Sequence, residues 1–80
     1  MRVVDEFEHP NCKITIFSWN NKYLIKLERG PIEQTFKISE FDVSGDEEIR
    51  SLIENETFMQ KALLRFEEMM ESLSEAMEKL

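Results

Sequence analysis

From Cys12 to Trp19 the chain reads CKITIFSW, and from Lys22 to Arg29 it reads KYLIKLER; in both runs apolar side chains recur at every second position. Period two with β-branched and aromatic enrichment predicts strands, because successive side chains of a strand point to opposite faces. Between the runs lies Asn20-Asn21. Asn tolerates positive φ, so the pair predicts a two-residue type I′ hairpin turn. That turn sets the register: Trp19 opposite Lys22, Phe17 opposite Leu24, Thr15 opposite Lys26, Ile16 opposite Ile25 and Ile14 opposite Leu27. One face then carries Cys12, Ile14, Ile16, Ser18, Tyr23, Ile25 and Leu27, and is the predicted core face.

A third run, Ile32 to Ile38, follows Gly30-Pro31. This turn can close in either parity, and a slip of one residue turns the whole strand over. Only the register that opposes Arg29 to Ile32 places Ile32, Phe36 and Ile38 beside Ile14, Ile16 and Ile25. Gln34 is the one polar residue of that inward set, which places it near the sheet edge or in a bond to backbone.

Ahead of these strands, residues 1–11 are expected to form a partly ordered N-terminal arm. Arg2-Val3-Val4 has short strand character, but Asp5, Glu6 and Glu8 interrupt it. Pro10 then biases His9 toward extended geometry and leads into the first strand.

After Ile38 the period changes. Ser39-Glu40-Phe41-Asp42 reads as a turn, with Phe41 and Val43 anchoring the crossover to the core. Ser44-Gly45-Asp46-Glu47 has capping-box spacing, the Ser hydroxyl accepting from the third helical amide while Glu47 reaches back. It predicts a short helix over 44–54 with Ile49, Leu52 and Ile53 on one face and with acidic residues at the positive end of the helix dipole. A second box, Thr57-Phe58-Met59-Gln60, opens a long helix over 57–79. Its apolar positions Met59, Ala62, Phe66, Met69, Leu73, Ala76 and Leu80 alternate steps of three and four, and Leu63, Met70 and Met77 widen the stripe.

The predicted fold is therefore α+β: a three-stranded antiparallel β-meander followed by a short helix and a long C-terminal helix, in one domain over residues 1–80. A helix of about 22 residues spans roughly 33 Å, whereas seven-residue strands span roughly 23 Å. The sheet is too short to cover the whole stripe. The expectation is a homodimer, with the long helices antiparallel or each lying across its neighbour's sheet, and with Phe66, Met69, Met70, Leu73, Met77 and Leu80 as interface residues.

Composition sharpens this picture in two ways. At 80 residues the chain is near the size where one core is only just sufficient, so association would help it. Hydrophobic residues at 41% and charged residues at 34% argue for a globular chain. No run approaches the roughly 18 apolar residues of a membrane span, the N-terminus lacks the pattern of a secretory signal, and a single cysteine cannot form an internal disulfide. A reducing, cytoplasmic setting is the expectation. The net charge of −7 is uneven. Residues 1–38 carry five acidic and six basic groups, net +1, against twelve and four, net −8, in residues 39–80. That acidity counts against non-specific binding to nucleic acid or anionic membranes.

Candidate chemistry is sparse. His9 and Cys12 are the only metal or nucleophile candidates, and zinc needs three or four protein ligands; a small cysteine at a strand start beside a loop histidine accounts for both. Glu67, Glu71 and Glu75, extended by Glu68 and Glu78, form an acidic helix ridge that reads as a solvated face. Gly30 and Gly45 are isolated, so no phosphate-cradling loop is present. No metal, cofactor or catalytic residue is expected, and the chain reads as no enzyme.

The sheet's other face carries the strongest functional signal. The register places Phe17 opposite Leu24 with Trp19 beside them, ringed by Lys22, Lys26 and Lys37, an apolar patch large enough to ask for a cover. The leading expectation is a non-catalytic, homodimeric protein-interaction module whose Phe17/Trp19/Leu24 face or protruding helix binds another protein. The alternative is a nucleic-acid-binding module in which Phe17 and Trp19 stack bases while the lysines meet phosphates. These residues match no family motif, and a likeness to small bacterial proteins rests on size and architecture alone.

Overall fold

The computed structural model describes all 80 residues. The elements run β1 Arg2–His9, β2 Cys12–Trp19, β3 Lys22–Arg29, β4 Ile32–Ser39, a single 3-10 turn Glu40–Asp42, α1 Asp46–Glu54 and α2 Glu56–Met77. The strands form one antiparallel sheet in the order β1-β2-β3-β4. The architecture is thus the expected α+β, an antiparallel sheet with two helices, but the meander has four strands where the sequence predicted three.

The inner registers follow from their turns. Asn20 and Asn21 both take positive φ, 51° and 64°, as a type I′ turn requires, and Trp19 pairs with Lys22, Phe17 with Leu24 and Ile14 with Leu27. Gly30 has φ 56°, and the Gly30-Pro31 turn closes with Arg29 opposite Ile32 and Ile25 opposite Phe36. Gln34 lies on an edge strand and does bond to backbone: its Nε2 donates to the Ala62 carbonyl at 2.8 Å, and its Oε1 accepts from Arg65 at 3.0 Å.

The additional strand is the segment expected to be an arm. It pairs with β2 along its length, and its register shifts between Val3 and Asp5. Such a bulge sets two residues against one and changes the parity of everything beyond it. Val4 packs on the core and Asp5 takes the guanidinium of Arg50 from α1 at 3.0 Å. Phe7 continues the packed side, while Glu6 on the outer side pairs with Lys13 at 3.1 Å. Two of the acids that broke the sequence pattern, Asp5 and Glu6, are therefore partners, each on the side where a cation meets it.

Both helices cover the face that carries Ile14, Ile16, Ile25 and Leu27, all fully buried with Ile49, Ala62 and Phe66. The caps differ in detail from the sequence expectation. At α1 the N-cap is Gly45, with no side-chain bond, and Glu48, one turn in, accepts from the Ser44 amide at 3.0 Å. At α2 the cap is Asn55, whose side chain accepts from the Phe58 amide at 2.9 Å, so the helix opens one residue early and closes at Met77. Asn55 also ends α1, so one residue makes the corner. Phe41 does not anchor the crossover: it is 83% exposed, and Val43 alone packs inward. The turn is held instead by its backbone, since the Glu40 amide donates to the Asn21 carbonyl at 3.0 Å.

A polar tie closes one end of the covered face. Tyr23 donates its hydroxyl to Asp46 at 2.6 Å, and Arg2 from β1 reaches the same carboxylate at 3.5 Å. The bond from Tyr23 holds the Asp46 carboxyl below its usual range, and the same bond raises the Tyr23 phenol.

Two predictions follow from this packing. Phe66→Ala empties a fully buried site and is expected to cost about 3–5 kcal/mol; Leu64→Ala, two residues away but 61% exposed, is expected to change stability by no more than about 0.5 kcal/mol. Urea unfolding measures both. For the Tyr23–Asp46 tie the linkage has two signs. Asp46, lowered in the folded state, contributes stability present above the ordinary carboxylate value of about 3.9 and lost as pH falls through its folded value. Tyr23, raised, contributes stability present below about 10 and lost as pH rises through its folded value. The stability difference between wild type and Tyr23→Phe is therefore expected to be largest across the neutral range and to shrink at both extremes in a pH series of urea melts.

Candidate interaction surfaces

Two helices on one face leave the other face of the sheet without a helix. The register fixes what that face presents. Val3 on β1, Phe17 on β2, Leu24 on β3 and Lys37 on β4 stand in one row across the sheet. The next row toward the Asn20-Asn21 turn holds Trp19, Lys22 and Ser39. Phe17 and Leu24 are half-buried, supported by their neighbours, whereas Trp19 and Val3 are each 53% exposed. An open depression lined by Met1, Phe17, Leu24, Lys26, Glu33 and Thr35 adjoins them. Met1 and Val3 come from the strand that the sequence pattern missed. Only the bulge brings Val3 onto this face, and no periodicity count on residues 1–11 registers a bulge.

The charge on the outer face is split along the strands. Toward the Pro10-Asn11 and Gly30-Pro31 turns, Glu6 pairs with Lys13, and Glu33 lies 3.9 Å from Lys26. Toward the Asn20-Asn21 turn, the two rows that hold Trp19, Lys22, Leu24 and Lys37 contain no carboxylate. Lys22 and Lys37 make no ion pair, although the chain holds seventeen acidic side chains. Thr15, in the middle of the face, is buried at 5% by its neighbours.

The second surface is the end of α2. This helix runs along β4 from Phe58, whose ring lies 5.2 Å from that of Phe36, past Gln34 to the Gly30-Pro31 turn. Phe66 is fully buried in its own chain, with the Arg29 guanidinium 5.3 Å from its ring centroid, so it belongs to the chain's own core. Met69 and Met70 are half-buried, and every residue from Glu71 to Leu80 is exposed, with Leu73 at 37%, Met77 at 58% and Leu80 at 100%. The molecule measures 46 × 26 × 20 Å, its length set by this overhang. Where α2 leaves the sheet, Pro31, Ile32 and Gln34 face Met69, Ser72 and Leu73 across an open groove.

His9 and Cys12 do come together, as opposed residues of the β1–β2 pair. Cys12 is buried, and burial raises its thiol above the ordinary value, which disfavours the thiolate form. The His9 Nδ1 accepts from the Asn11 amide at 3.1 Å, and neither residue lines a depression. Nowhere do three His, Cys, Asp or Glu side chains converge as a metal site would need. No helix is long and apolar enough to cross a membrane. No family model matches the chain, and neither a curated protein nor a solved structure matches it.

The cysteine gives a direct check. Alkylation of native Cys12 by iodoacetamide is expected to be at least tenfold slower than in urea and to be unchanged by His9→Ala; a fast native reaction that depends on His9 would contradict the packing described.

Proposed function

We propose that this chain is a non-catalytic protein-interaction module that forms a homodimer through the end of α2. The observation that carries the reading is the continuity of the apolar stripe. It begins inside the chain at Met59, Ala62 and Phe66, passes the edge of the sheet at Met69 and Met70, and continues as Leu73, Met77 and Leu80 with nothing over it. A helix end that projects with one apolar side into water is stabilised by burying that side, and the same side of a second copy is complementary to it in an antiparallel pair about a twofold axis. Glu71 and Glu78 lie opposite the stripe and stay solvated in such a pair. Glu75 lies on that same solvated side, and the exposed helix end from Glu71 to Leu80 carries three glutamates against one lysine. The reading gives no catalytic role to Cys12, which is buried at the start of β2, and a reducing, cytoplasmic setting suits that lone thiol.

The nucleic-acid reading draws on less. Phe17 and Leu24 are half-buried, which leaves Trp19 as the one well-exposed ring of the patch to stack a base, in a chain of net charge −7.

Light scattering over a concentration series tests the dimer. Wild type is expected to approach twice the 9.6 kDa chain mass, and Leu73→Asp is expected to remain at one chain mass with an unchanged circular dichroism spectrum. Because each copy carries a net charge of −7 and salt screens exposed charges, raising sodium chloride is expected to favour the wild-type dimer. A wild-type chain that stays monomeric throughout would contradict the reading.

A further inference from the structure

We infer that the Trp19 end of the outer sheet face is the docking surface for an acidic, amphipathic segment of another protein. The inference rests on the reading of the chain as an interaction module and names the partner chemistry for a surface that the α2 seam does not use.

Three observations converge on that chemistry. The first is apolar area without a cover. Val3, Phe17 and Leu24 form a continuous row across three strands, Trp19 stands beside them, and Met1 borders the same depression. Trp19, Val3 and Met1 are all more than half exposed. A partner that fills this area brings apolar side chains.

The second is unneutralised positive charge in an acid-rich chain. Lys22 and Lys37 flank the row, and neither has an ion-pair partner, while the other end of the same face is tied up in the pairs Lys13–Glu6 and Lys26–Glu33. The chain has carboxylates to spare, and none stands on the outer-face positions of these two rows. A partner that completes this end brings carboxylates, which also steer the encounter.

The third concerns which occupants these groups disfavour. A second copy docking by the same face about a twofold axis would bring the lysines of one copy against those of the other, a like-charge juxtaposition that acts against pairing. A nucleic acid would meet the lysines but would find one well-exposed ring and two half-buried side chains below it, where stacking of successive bases calls for several open aromatic faces. An acidic segment with one apolar side satisfies both requirements. Its apolar side chains lie along Val3, Phe17 and Leu24, and its carboxylates reach Lys22 and Lys37 at the rim, where Trp19 supplies the large amphipathic anchor that such interfaces favour.

Trp19 is the only tryptophan in the chain, so the surface carries its own reporter. The experiment titrates the full chain with a synthetic amphipathic helix of Leu, Ala and Glu, with the same peptide carrying Lys in place of Glu, and with single-stranded oligo-dT, following Trp19 emission while light scattering reads the mass of each sample. The Glu peptide is expected to give a saturable blue shift that weakens at least tenfold in the Lys22→Glu/Lys37→Glu double variant, whose exposed sites leave the circular dichroism spectrum unchanged. The Lys peptide and oligo-dT are expected to give none. Absence of any shift with the Glu peptide, an equal shift with the Lys peptide, or a saturable response to oligo-dT alone overturns the inference. So does a shift produced by raising the chain's own concentration without peptide, since the face would then be occupied by a second copy. A dimer whose Trp19 ignores the Glu peptide refutes the docking surface and leaves the dimer standing; a monomer whose Trp19 responds does the reverse.

Discussion

Burial of one face of the sheet is the interaction on which everything else in this protein depends. Ile14, Ile16, Ile25 and Leu27 reach complete burial only because Ile49 and Ile53 of α1, and Met59, Ala62 and Phe66 of α2, close over them. At 80 residues there is material for one such layer and no second. Two helices spent on one face leave the other to solvent, and the longer helix, laid along the strands, overruns them. Both uncovered apolar surfaces are thus consequences of the same packing solution, one arising from the number of helices and the other from the length of α2.

The contacts that hold the layer in place are mostly polar and sit at its margins. Arg50 clamps α1 to the bulge of β1 through Asp5, with Tyr23, Asp46 and Arg2 a short way off. Gln34 and Arg65 tie the edge strand to α2, and Arg29 caps Phe66 while its Nε donates to the Asn11 carbonyl. Individually such partly exposed pairs contribute little. Their effect is directional: they fix where each helix lies on an apolar surface that would otherwise tolerate sliding, and so they fix how far α2 projects.

How much of this was legible in the sequence depended on whether a local rule had a competitor. The Asn20-Asn21 turn has essentially one conformation that suits a hairpin, so the Phe17–Leu24 and Trp19–Lys22 pairs could be read directly. Gly30-Pro31 left two parities, and the apolar count across Ile32, Phe36 and Ile38 chose between them. β1 was illegible because a bulge breaks the period by which strands are recognised and because Asp5 and Glu6 find their partners in Arg50 and Lys13, at distances no local pattern registers. Phe41 was misplaced for the opposite reason. An aromatic residue after a strand is usually inward, but here the backbone bond from Glu40 to Asn21 holds the turn, and the ring points to solvent. The capping residues were displaced, by one position from Ser44 to Gly45 and by two from Thr57 to Asn55, since several residues at each helix start can serve as caps. Of the surface residues, the patch on β2 and β3 was readable from register, its extension to Val3 and Met1 was not, and Phe66 belongs to the chain's own core because α2 begins its overhang later than the stripe alone suggested.

The central claim is that the chain folds with one covered sheet face and an α2 end that lacks a partner within the chain. Amide hydrogen exchange over residues 71–80 tests it most directly. The account predicts that these amides exchange quickly in dilute protein, while those of Ala62 to Phe66 stay protected, and that their protection rises with protein concentration as the helix end finds its partner. Strong protection of residues 71–80 that does not change with concentration would contradict it, because the helix end would then be held by contacts within a single chain.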